Sequence, residues 1–198
     1  MRICSMRRVA ATVRRALIAS IAFTALSHAH ADGLEDTAQI CASCHGVAGA
    51  PADAAIPIIW GQNEGYLYLQ LRDIKRGSRK VEVMAPIVER LEKPDLQALA
   101  AYFSTKSWPN LGLPSASDAD ARRALRASAS IGCTGCHSAD YKAAGTVPRL
   151  AGQQRPYLAK TMLDFRTGAR ANNPGMTDLM NAADPADLAA LAGYLAGL

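Results

Sequence analysis

The stretch Cys41-Ala42-Ser43-Cys44-His45 constrains this chain more than any other, because it returns 92 positions later as Cys133-Thr134-Gly135-Cys136-His137. Beyond residue 31 the chain has no other cysteine and no other histidine, so four thiols and two imidazoles are committed to two copies of one local unit. The repetition continues downstream. Pro57 maps to Pro148, Gly61-Gln62 to Gly152-Gln153, Tyr66-Leu67 to Tyr157-Leu158, Asp73 to Asp164, Gly77 to Gly168 and Arg79 to Arg170. Met84 maps to Met176, Leu96 to Leu188 and Tyr102 to Tyr194, always at an offset of 91 or 92. A period of this length is duplication of a whole domain rather than a short stacked repeat. The Pro-, Gly- and Ser-rich stretch between the copies reads as a linker. The expected organisation is residues 32–106, a linker over 107–117, and residues 118–198.

Residues 1–31 have the form of a targeting segment. Five arginines and no acid precede the apolar run Ala16 to Leu26, and Ala29-His30-Ala31 offers small residues where a signal peptidase reads. This predicts a secretory signal cleaved after Ala31; the run is too short for a bilayer-spanning helix. Residues 32–198 then hold 17 basic and 17 acidic residues. The basic pI of about 9.1 therefore belongs to the leader and gives no reason to expect nucleic acid. The prediction is an exported, periplasmic protein with no membrane span in the mature chain.

The apolar spacing of Tyr66, Leu67, Leu69, Leu71 and Ile74, and of Leu96, Leu99, Ala100 and Phe103, predicts helices. Pro94-Asp95, and Pro185 with Asp187, supply helix-start chemistry. A helix from about Ser117 leads into the second Cys motif and a shorter one from Leu34 into the first. Only Val81 to Val83 resembles a strand, so the expected class is all-α.

Four chemistries compete for Cys-x-x-Cys-His. A disulfide framework suits an exported protein but leaves the histidines unexplained. A thioredoxin-like pair needs a βαβ setting that is absent here, and a zinc ribbon needs its second pair some 15–20 residues away. Covalent haem attachment accounts for every residue: two thiols join the porphyrin and the following imidazole reaches the iron. Two c-type haems are expected, attached at Cys41, Cys44, Cys133 and Cys136, with His45 and His137 as axial ligands. Such a group also relieves a size problem, since a core of about 80 residues is marginal without a staple.

The second axial position separates a carrier from a catalyst. Met84 and Met176 each lie 39 residues after their motif histidine and are the expected ligands. Met180, one turn beyond Met176, is the local rival, and Met162 reads as packing. Pro57 and Pro148 are expected to orient the proximal imidazoles through their carbonyls. Arg79, Arg170, Lys75 and Arg166 read as solvated charges by default, with the repeated pair Arg79 and Arg170 candidates to face haem propionates. Trp60, Tyr66 and Tyr157 read as core or haem packing.

The ordered set of CASCHG, GCTGCH, the P-x-x-x-G-Q loops, Tyr-Leu and the Met-to-Tyr tails resembles the dihaem cytochromes of the cytochrome c4 family. The resemblance covers essentially the whole mature chain. It implies two tandem class I cytochrome c domains related by pseudo-twofold symmetry, each haem with His and Met ligands, carrying electrons in the periplasm. Ile59-Trp60 departs from the Leu-Ala usual in the family, and the stretch after Met176 is less typical. The leading expectation is a carrier serving redox proteins such as a terminal oxidase, reductase or dehydrogenase. The second is an electron-accepting subunit of a dehydrogenase complex, as in flavocytochrome c sulfide dehydrogenase. An enzyme in its own right would need an open iron, and no spare Cys or His exists beyond residue 31 to make another arrangement.

Overall fold

The computed structural model describes residues 33–198; the expected signal segment lies outside the described residues. Residues 41–198 form one compact unit that contains both Cys motifs. The elements are α1 (33–45), α2 (Glu64–Lys75), α3 (Ala85–Val88), α4 (Lys93–Ser104), α5 (Asp118–Ile131), α6 (Thr134–His137), α7 (Arg155–Thr167), α8 (Pro174–Ala182) and α9 (Pro185–Ala196). Among the described residues there is no strand, and Val81 to Val83, the best strand candidate, lead into a turn before α3. Three residues with no pairing partner cannot make a stable strand, whereas Met84 N–H bonds to Val81 O and closes the turn.

Helix starts follow the local chemistry. At α4 the Glu92 and Asp95 side chains form a reciprocal capping box, with Pro94 in the first turn. Asp184 accepts from Ala186 N–H ahead of α9, and Ser117 from Asp120 N–H ahead of α5. Gly132, at φ 83°, ends α5 in the left-handed region and turns the chain into the second motif.

Repeat-related helices pack alike. In the first half α2 lies against α4 and α3; in the second α7 lies against α9 and α8. The apolar seams are Leu67, Ile74, Val88, Leu96, Leu99 and Phe103 in one, and Leu158, Met162, Phe165, Leu188, Leu191 and Leu195 in the other. Seven alanines also sit in the buried cluster of the second half, a small-residue core for a body of this size. The connecting segment is anchored: the Trp108 ring carries the Arg149 guanidinium 4.4 Å from its centre.

Trp60 explains its departure from the repeat. A Cβ on Gly49, which has φ +79°, would lie 2.7 Å from the Trp60 ring, so the indole covers that backbone directly. Its counterpart in the second half is the buried Ala151.

Candidate haem sites

In the first motif Cys41, Cys44 and His45 occupy the last turn of α1, where a spacing of three and four puts them on one helix face. In the second, Cys133 precedes the single-turn α6, which carries Cys136 and His137. None of the four motif cysteines is in a disulfide and none is fully buried. The histidines are buried, at 6% and 7% exposure.

Each imidazole has one anchored nitrogen. His45 Nδ1 lies 2.8 Å from Pro57 O and His137 Nδ1 lies 3.1 Å from Pro148 O. A carbonyl only accepts, so Nδ1 carries the proton. Burial pushes both imidazoles below their ordinary pKa, against the pull of the proline carbonyls; Arg79 adds to the depression at His45. The neutral ring therefore keeps its lone pair on Nε2, which forms no hydrogen bond among the described residues. A neutral imidazole with a fixed Nδ1–H is the form that ligates metal.

The donor set fits haem and not a protein-only metal cage. Among the described residues no three His, Cys, Asp or Glu side chains converge as such a cage requires. Two thiols held in no disulfide, beside one neutral imidazole, suit a group that brings its own equatorial nitrogens and needs two covalent tethers and an axial ligand.

The methionines separate clearly. Met84 is the residue before α3 and is partly buried. Met176 lies in the first turn of α8, its N–H held by Asn173 Oδ1 at 3.2 Å, and is partly buried against the core. Met180 is 2% exposed and belongs to the core itself.

Lys75 is exposed, as expected, and Arg166 is half-buried, but both also hold backbone carbonyls. Lys75 Nζ donates to Glu89 O and Leu91 O just beyond α3. Arg166 Nη1 donates to Met180 O, Asn181 O and Ala183 O at the end of α8. These positions correspond in the two repeats, so each half clamps with a cation the carbonyl end of the helix that begins beside or carries its methionine.

Arg79 and Arg170 lie between the halves. Arg79 donates to Gln70 Oε1 at 3.0 Å and reaches Tyr157 Oη at 3.3 Å; Arg170 donates to Gln70 Oε1 at 2.8 Å and reaches Tyr66 Oη at 3.4 Å. Arg170 also donates to Asn172, whose amide reaches Asp73. Burial raises the Tyr157 pKa, but Arg79, Arg170 and a hydrogen bond with Tyr66 outweigh it and bring the phenol down to about 7. Burial and the neighbouring phenol push Tyr66 up.

A second contact between the halves is reciprocal. Gln62 Oε1 accepts from Arg149 N–H at 2.8 Å and its Nε2 donates to Arg149 O at 3.0 Å. Gln153 Oε1 accepts from Ile58 N–H at 2.9 Å and its Nε2 donates to Ile58 O at 3.0 Å. Sequence reasoning registered Gly-Gln as a repeated pair and assigned it no role; the matched offset was the available signal.

The cytochrome c family model matches residues 126–198. Cytochrome c4 from Azotobacter vinelandii is 34% identical, over 92% of this chain and 96% of that protein. The chain belongs to the cytochrome c4 family. The crystal structure of reduced recombinant cytochrome c4 from Pseudomonas stutzeri superimposes with a TM-score of 0.74 at 32% identity, covering 84% of this chain and 97% of that one. The thiosulfate dehydrogenase electron acceptor of Stutzerimonas stutzeri strain A1501 is 32% identical over 84% of this chain and 82% of that protein. Two c-type haems are bound covalently, and the chain transfers electrons rather than catalysing a reaction. No helix among the described residues is long and apolar enough to cross a membrane.

Proposed function

We propose that this is a periplasmic dihaem carrier that accepts and delivers one electron per haem between respiratory redox partners. One body formed by residues 32–106 and another formed by 118–198, joined by 107–117, each enclose one haem. Cys41 and Cys44 tether the first, Cys133 and Cys136 the second. His45 with Met84, and His137 with Met176, occupy the axial positions, while Pro57 and Pro148 fix the imidazoles. Arg79 and Arg170 face the propionates from the interface.

The observation that carries this reading is the pair of buried, neutral histidines whose Nδ1–H is engaged and whose Nε2 is left for a metal. Placement of Met180 in the core favours Met176 as the second ligand there. The test is the optical spectrum of the reduced protein with and without carbon monoxide. An unchanged spectrum is expected, because Met opposite His closes the iron. A shift in about half the haem signal would remove one methionine from the ligand set.

A second reading, electron acceptor to a dehydrogenase, is favoured by the similarity to the thiosulfate dehydrogenase acceptor. Rapid reduction by such a dehydrogenase in a stopped-flow mixture, and co-purification with it, would select that role over a general carrier.

A further inference from the structure

One peptide unit in each half has both of its polar atoms engaged, one by its own histidine and one by the opposite half. Between Pro57 and Ile58, the carbonyl accepts from His45 Nδ1–H and the N–H donates to Gln153 Oε1. Between Pro148 and Arg149, the carbonyl accepts from His137 Nδ1–H and the N–H donates to Gln62 Oε1. Each glutamine is also locked by its own Nε2 on the same residue's carbonyl. Both are almost fully buried, Gln62 at 3% and Gln153 at 2%, so their bonds are shielded from water.

Hydrogen bonds in series polarise one another. Donation by the peptide N–H shifts electron density onto the oxygen of the same unit and makes it a better acceptor. A better acceptor draws the Nδ1 proton further and makes Nε2 the more basic donor. A more basic axial imidazole favours ferric over ferrous iron and lowers the reduction potential, hydrogen bonding around the ligand being one of the protein's levers on haem.

We infer that Gln153 tunes the haem of the first half and Gln62 that of the second, each acting as a positioning residue across the interface through the opposite proline peptide. The inference rests on His45 and His137 being the iron ligands. Its particular content is the crossing: a side chain from one repeat sets the potential of the haem in the other. Had the glutamines only held the halves together, losing either would loosen one shared contact and disturb both sites alike.

The experiment uses the holoprotein and the variants Gln153→Leu, Gln62→Leu and Gln153→Glu. Midpoint potentials are measured for each haem separately, by following haem methyl resonances assigned to each half during a redox titration. In the reduced, diamagnetic protein, solvent exchange of each Nδ1–H is measured as well. Gln153→Leu is expected to raise the first-half potential and speed exchange at His45, with the second half moving less. Gln62→Leu should do the converse. Gln153→Glu keeps an oxygen for the Ile58 N–H and should not raise the first-half potential; it also serves if the leucine variant fails to fold. Equal shifts at both haems, a shift confined to the glutamine's own half, or upward shifts from both leucine and glutamate would overturn the inference. A separate variant, His45→Ala, tests its premise: a first-half haem that kept its nitrogen-ligated low-spin spectrum would sink the ligand assignment instead.

Discussion

Removing the Arg166 guanidinium should loosen the second methionine segment by a calculable amount. Its Nη1 lies 3.1 Å from Met180 O, 2.8 Å from Asn181 O and 2.5 Å from Ala183 O. One nitrogen carries two hydrogens, so two full bonds are the most it makes at once. A charge-assisted bond contributes about 1.5–3 kcal/mol, and this partly exposed group belongs at the lower end. A cation in the last turn adds about 0.5 kcal/mol against the helix dipole. Freeing the side chain returns about 1.5 kcal/mol of entropy. Arg166→Leu should therefore cost about 2 kcal/mol. The assay is guanidinium denaturation of the ferric holoprotein, with a shifted midpoint and an unchanged slope. Arg166→Lys should recover much of the loss, because Lys75 clamps the corresponding carbonyls of the first half. A cost below about 0.5 kcal/mol, or lysine as damaging as leucine, would refute the clamp.

Tyr157, brought down to about 7, contributes stability that is complete above its unfolded pKa and is lost as pH falls through the folded value. Denaturation midpoints should therefore rise between pH 7 and pH 9 in the parent and rise less in Tyr157→Phe. Met180→Ala, at a core position, should cost roughly 2–5 kcal/mol while leaving the reduced spectrum insensitive to carbon monoxide. Met176→Ala should have the reverse profile, with a smaller change in stability and a new carbon monoxide complex. Replacing Cys133 and Cys136 by Ala should leave the second half without cooperative melting, measured by circular dichroism on the haem-free fraction, since its small-residue core lacks the volume of the porphyrin.

What could be read in the sequence was chemistry with a fixed local spacing. The proposed thioether attachment needs thiols three apart with the ligand next, a spacing visible at Cys41, Cys44 and His45. Helix starts at Pro94 and Pro185 were legible for the same reason, because a cap and its partner lie within one turn. Lys75, Arg166, Gln62 and Gln153 were not. Their acceptors include backbone carbonyls, which have no residue identity, and the glutamine partners are 87 and 95 positions away. Val81 to Val83 misled because β-branched residues signal a strand only where a neighbour exists to pair with it. Trp60 reads in the sequence as packing of unspecified kind; in the fold it covers a glycine that has no room for a side chain.

The glutamine clasp has the form of a contact between identical chains. Gln62 grips Arg149 as Gln153 grips Ile58, and both relations map onto each other at an offset of 91. A surface that binds its own copy in this way is isologous, the arrangement of a twofold homodimer. The segment between α4 and α5 joins the two copies, so their meeting is an intramolecular event at an effective concentration on the order of millimolar, and neither copy can be diluted away. The chain is thus a symmetric dimer that cannot dissociate. Its two copies need not match residue for residue, as Trp60 opposite Ala151 shows.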